Sequence, residues 1–143
     1  MYVKQLSVFL ENAPGKLAQF TQVLAEKGID LVSLSIADTA DYGILRFIVA
    51  DWEKAARLIE EAGYTVRVDD VLAIDVPDRP GGLSEVLAQL SNFGIEINYL
   101  YSFAQQGKSN ALIVFRVEDS EKTAKILSDH GVKCVSHEEV SAL

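Results

Sequence analysis

Glu11-Asn12-Ala13-Pro14-Gly15-Lys16-Leu17 returns as Pro77-Asp78-Arg79-Pro80-Gly81-Gly82-Leu83, 66 residues on. The same offset carries Leu24 to Leu90, Gly28-Ile29 to Gly94-Ile95 and Leu34 to Leu100. Farther along it becomes 68, taking Phe47 to Phe115, Lys54 to Lys122, Ala56 to Ala124 and Gly63 to Gly131. Two residues inserted around Ala104–Lys108 explain the step, and a turn is where insertions are best tolerated. Chance gives a single matched Pro-Gly pair, not an ordered series. The chain is an internal repeat, with units at 1–69 and 70–143.

Upstream of each loop, apolar residues alternate: Leu6, Val8 and Leu10 in one unit, Leu72, Ile74 and Val76 in the other. That is the pattern of a strand with one buried face. Downstream, Leu17, Phe20, Val23 and Leu24 follow at helical spacing, as do Leu83, Val86, Leu87 and Leu90. Gly28 and Gly94 stand where a helix ends on a left-handed glycine. Second strands are expected at Ile29–Ile36 and Ile95–Phe103, turning at Asp38–Asp41 and Gln105–Lys108. Third strands put Leu45, Phe47 and Val49, and Ile113, Phe115 and Val117, on one face. Asp51 and Ser120 are the expected N-caps of second helices carrying Leu58-Ile59 and Ile126-Leu127. Gly63 and Gly131 stop those helices, and Tyr64–Val68 and Val132–Ser136 close the units as strands.

The order is βαββαβ, twice. It predicts an α+β protein of two ferredoxin-like units, each a four-stranded antiparallel sheet with two helices on one face. A unit of about 70 residues buries only a small core and is marginal alone. Almost nothing separates Val68 from Val71, so no flexible linker joins the units, which are expected to pack together. Ile44, Ile48, Leu112 and Val114 point away from the helices, accompanied only by Arg46 and Arg116. A solvent-washed sheet face is usually more polar. Another sheet, from the other repeat or from a second chain, is therefore expected over part of this face or beside it.

Composition removes several classes of function. The 143 residues carry 13 Lys+Arg against 21 Asp+Glu, a net charge of −8. Nucleic acid and anionic membranes are bound through basic surfaces, so neither is an expected partner. No apolar run approaches the ~20 residues that span a bilayer, and the N-terminus does not read as a secretory signal. A single cysteine, Cys134, forms no internal disulfide, which fits the reducing cytoplasm.

Reaction chemistry is scarce. His130 and His137 are the only histidines, and with Cys134 they fall short of a zinc ligand set. His130, aligned with Ala62, reads as structural, His137-Glu138-Glu139 as a solvated polar tail, and Cys134, aligned with Val66, as a buried inert thiol. Trp52 reads as cover for a core edge. Tyr99, Tyr101 and Phe103 alternate on one strand, but the acidic charge argues against base stacking. Asp75, Asp78, Arg79 and Glu85 gather near the second loop without a histidine, triad or thiol nucleophile to work with. An enzyme is not expected, nor a metal or cofactor.

The duplicated loops carry the functional signal. Free N–H groups at a helix start, on the positive end of its dipole, suit a carboxylate. Glycine lets a ligand approach the backbone. Asn12 or Asp78 is placed to cap its helix or to accept a hydrogen bond from an ammonium group. A free amino acid offers both charges. Alternatively, Pro-Gly merely shapes a tight turn.

The motif [Asn/Asp]-x-Pro-Gly-x-Leu, followed by Gly-Ile-[Asp/Glu]-[Leu/Ile] after the helix, resembles the ACT domain family of amino-acid metabolism. The likeness covers both units. It implies a stand-alone regulatory module that binds an amino-acid effector between ACT domains and acts on a separate enzyme or regulator, as a cytoplasmic homodimer. Carried onto this chain, the loop positions are Asn12, Ala13, Pro14, Gly15, Lys16 and Leu17, and Asp78, Arg79, Pro80, Gly81, Gly82 and Leu83. The facing positions on a neighbouring domain's second strand are Val32-Ser33 and Asn98-Tyr99. Gly82 in place of Lys16 is expected to admit a ligand more closely, making the two sites unequal. The other reading is a scaffold that has lost its ligand and serves in dimerisation or as a regulatory subunit.

Overall fold

The computed structural model describes residues 2–39, 41–103 and 110–143. Its contacts divide the chain into two compact units, one spanning Lys4–Asp69, the other Asp70–Leu143 together with the chain's start up to Val3. The architecture is the expected α+β one of two ferredoxin-like units.

The first unit runs β1 (Val3–Glu11), α1 (Lys16–Glu26), β2 (Ser33–Asp38), β3 (Tyr42–Ile48) and α2 (Trp52–Glu61), and leaves through β4 (Val66–Pro77). β3 pairs antiparallel with both β1 and β2, giving the order β2-β3-β1. Strand alternation sends Leu6, Val8 and Leu10 to one face, where Leu45 and Phe47 meet them under Phe20, Leu24, Ala55 and Ile59 of the helices. Phe20 is the keystone, with ring centroids 5.8 Å from Phe47 and 4.9 Å from Tyr64. Such tilted aromatic contacts add to the burial of apolar area.

The second unit repeats the scheme with β4, α3 (Gly82–Asn92), β5 (Ile97–Phe103), β6 (Asn110–Val117), α4 (Ser120–Asp129) and β7 (Cys134–Val135). β4 pairs with β6 and β7, and β6 with β5, all antiparallel, in the order β7-β4-β6-β5. Leu72, Ile74 and Val76 pack with Val86, Leu90, Phe115 and Leu127, and Tyr2 lies against the same cluster.

The expected second strands start too early. Gly28, Gly63, Gly94 and Gly131 all have positive φ. The N–H of the residue after each (Ile29, Tyr64, Ile95 and Val132) donates back to the carbonyl of Leu24, Ile59, Leu90 and Leu127. These closing bonds belong to helix termination, so the apolar residue after each glycine finishes a helix and does not begin a strand. β2 and β5 therefore open at Ser33 and Ile97, β4 at Val66 and β7 at Cys134.

Two further local readings are corrected. Asp51 caps α2, its carboxylate accepting from Lys54 N at 3.3 Å, but α4 is capped by Asp119 and not by Ser120. Asp119 accepts from Lys122 N at 3.0 Å, and Ser120 is the first helical residue. The tail at His137 is a short helix, α5 (His137–Ser141), with Ser136 Oγ accepting from Glu139 N and Val140 fully buried. The turn at Gln105–Lys108 and the insertion around Ala104–Lys108 lie outside the described residues.

Candidate functional site

Each duplicated loop links a strand to a helix through a left-handed glycine. Gly15 has φ 85° and ψ −10°, Gly81 φ 87° and ψ −9°, and neither helix start has a side-chain cap. In the first loop Ala13 N donates to Glu11 O, Lys16 N to Ala13 O and Gln19 N to Gly15 O. In the second, Arg79 N donates to Pro77 O, Gly82 N to Arg79 O and Glu85 N to Gly81 O. The amides between those anchors, Leu17 and Ala18 in one loop and Leu83 and Ser84 in the other, have no protein partner among the described residues. A helix leaves such donors at its start, and its dipole adds partial positive charge there.

Asn12 and Asp78 do not cap. Asn12 Nδ2 donates to Asp38 Oδ1 at 2.9 Å, and Asn12 N donates to Asp41 O, so the first loop is tied to the β2–β3 turn. Asp38 is thus a partner of the loop, where its sequence position suggested only a turn residue. Asp78 is exposed and has no partner among the described residues, while Arg79 Nη2 reaches both carboxylate oxygens of Glu85, at 3.1 and 3.0 Å. Lys16 Nζ stands 3.7 Å from Glu11. Pro14, Pro80 and Ala13 are exposed.

The loops are unequal for a reason opposite to the expected one. A Cβ added to Gly82 would stand 2.1 Å from Pro77 O. The space left by the missing side chain is taken by the loop's own backbone and offers a ligand no closer approach.

The strand positions lie elsewhere. Val32 N donates to Ile48 O, and Ser33 pairs with Ile48 at the start of β2. The Asn12–Asp38 tie is at its other end, five residues away, or about 17 Å along a strand. One unit alone does not bring Asn12–Leu17 and Val32-Ser33 together. Ser33 is buried, and its hydroxyl has no hydrogen-bond partner among the described residues. On β5, Ile97 pairs with Val117 and Tyr99 with Arg116, so Asn98 is the extra residue of a bulge, an exposed position that re-aims its side chain.

Burial pushes the Cys134 thiol above the usual thiol range. Among the described residues, no group of three or more His, Cys, Asp or Glu is placed to hold a metal, and no helix is long and apolar enough to cross a membrane.

The family profile described as ACT domain pair matches residues 1–143. A crystal structure of a Bacteroides thetaiotaomicron protein is similar at 40% identity and TM-score 0.92, covering 100% of this chain and 98% of that one. The fold is also that of the regulatory subunit of aspartate kinase from Thermus thermophilus, in its ligand-free form, at 15% identity and TM-score 0.61, covering 88% of this chain and 91% of that one. The Thermus flavus subunit gives 15% identity and TM-score 0.62, covering 90% of each chain. No curated protein matches the sequence.

Proposed function

The chain belongs to the ACT domain pair family, and from that premise we propose that it is a regulatory module whose effector is a free amino acid. Its two ACT-like domains are 1–69 and 70–143. The effector sits where Asn12–Leu17 or Asp78–Leu83 faces the second strand, Val32-Ser33 or Asn98-Tyr99, of a neighbouring ACT domain. The module works in the cytoplasm as a homodimer and acts on a separate enzyme or regulator.

One observation carries this reading: two paired, unpartnered amides at the start of each of two duplicated helices, with no side chain capping them. A carboxylate there gains hydrogen bonds and roughly 0.3–1 kcal/mol from the helix dipole. The 17 Å between loop and strand start within one unit calls for a neighbour to complete the site. To regulate, the effector must bind two states of the assembly unequally. Isothermal titration of the chain against the twenty amino acids tests the reading: saturable heat from at least one supports it, and silence from all at millimolar concentration removes it.

The second reading, a ligand-free dimerisation scaffold, is favoured by Leu34 and Ile36, half exposed on β2 at the margin of the β2-β3-β1 sheet. Apolar residues on such a strand suit pairing with another chain.

A further inference from the structure

The second unit holds a cavity of about 340 Å³ between α3 and the turn from α4 into β7. Small-molecule sites begin near ~300 Å³. Glu85 and Gln89 of α3 line one side, His130 and Lys133 of the turn another, and Asn110 of β6 contributes at the end. Three of these residues are held in ways that leave capacity for a ligand. Gln89 Oε1 is buried without a hydrogen-bond partner among the described residues. A buried polar atom in that state costs about 1–3 kcal/mol unless something satisfies it. The His130 ring is pinned edge-on to Phe93, centroids 5.3 Å apart, and its Nδ1 lies 2.8 Å from Ile126 O. A carbonyl only accepts, so Nδ1 carries the hydrogen and Nε2 is left over. Glu85 and Lys133 bring opposite charges, engaged only in exposed pairs with Arg79 and Glu139 that a ligand can displace.

The duplication supplies an internal control. The repeat offsets place Gln19, Val23, Tyr42, Ala62 and Thr65 of the first unit at the positions of Glu85, Gln89, Asn110, His130 and Lys133. None of the five is ionisable near neutral pH, whereas three of the second unit's five are. Shared fold requirements cannot explain polar groups that one copy does without.

We propose that this cavity binds a small zwitterion, one ammonium and one carboxylate on a compact skeleton, and that it does so in the second repeat alone. Glu85 and Gln89 Oε1 take the ammonium, and Lys133 and His130 take the carboxylate. This goes beyond the domain-seam site, because all its groups belong to one unit.

The test titrates the ¹⁵N-labelled full chain with each of the twenty free L-amino acids at millimolar concentration. The readouts are the side-chain amide of Gln89 and the backbone amides of Gly131 and Val132. At least one amino acid should shift all three saturably, and Lys133→Thr or Glu85→Gln should each weaken that binding about tenfold. Gln89→Val should weaken it too while leaving the melting temperature equal or higher, because it removes an unpartnered buried atom. A merely structural Gln89 would give the reverse pattern. If no amino acid moves these signals, or if both charge variants leave the isotherm unchanged, the inference is overturned. Shifts confined to Leu17, Ala18, Leu83 and Ser84 would overturn it while sustaining the domain-seam reading.

Discussion

The carbonyl oxygen of Pro77 occupies the place where a side chain on Gly82 would begin, 2.1 Å from an ideal Cβ. The contact separates two loops that are otherwise copies, since the first loop carries Lys16 at the same position. Gly82→Ala should therefore force the backbone apart and cost about 1–3 kcal/mol, as overpacking does. Lys16→Ala, on a half-exposed side chain, should stay within about 0.5 kcal/mol. Urea denaturation midpoints of the two variants check this.

Gly15 and Gly81 pose a different constraint. Nothing lies within 4 Å of an added Cβ at either, yet both have φ near +85°. Alanine should cost about 1–2 kcal/mol at each through backbone conformation alone. Equal losses at the two sites, measured by thermal melting, would confirm that the penalty is conformational and not steric.

The caps discriminate between neighbouring residues. Asp119→Ala and Asp51→Ala should each lose about 1 kcal/mol, and Ser120→Ala should be close to neutral. The repeat itself pointed to Asp119, 68 residues after Asp51. Reading Ser120 as the cap ignored that offset in favour of a residue type.

The rest of the fold divides along the same physical line. Periodicity and the four glycines made the βαββαβ order, the core faces and the helix ends readable, because these depend on local pattern. The start of β2 was misplaced because Ile29 is apolar either as a strand residue or as the residue closing a helix, and only its bond to Leu24 O decides. α5 was missed because a five-residue helix shows little periodicity, although Ser136 with Glu139 three residues on is a capping-box spacing. At the loops, the glycines were legible. The Asn12–Asp38 tie and the Pro77–Gly82 contact were not, being contacts that only the folded chain creates.

Cys134 gives a pH prediction. Burial raises its thiol pKa, so the folded state keeps the proton to higher pH than the unfolded chain does. Stability should be constant below the ordinary thiol range and fall as pH rises from it toward the raised folded value. Alkylation of the native protein should be slower than that of the urea-unfolded chain at the same pH, and equal rates would contradict the assignment.

Asn12→Ala should loosen the first loop without unfolding the unit, since the bond to Asp38 is exposed and contributes on the order of 1 kcal/mol or less. A double-mutant cycle with Asp38→Ala, read by chemical denaturation, should recover a coupling of that size.

The central claim concerns four backbone amides: Leu17 and Ala18, Leu83 and Ser84. Their ¹⁵N–¹H resonances should be followed while the chain is titrated with the amino acid that gives the largest calorimetric heat. The account predicts saturable downfield shifts in at least one of the two pairs, lost when an amine of the same skeleton without its carboxylate is used. If all four amides stay fixed while that amino acid binds, the duplicated helix starts are not the effector site.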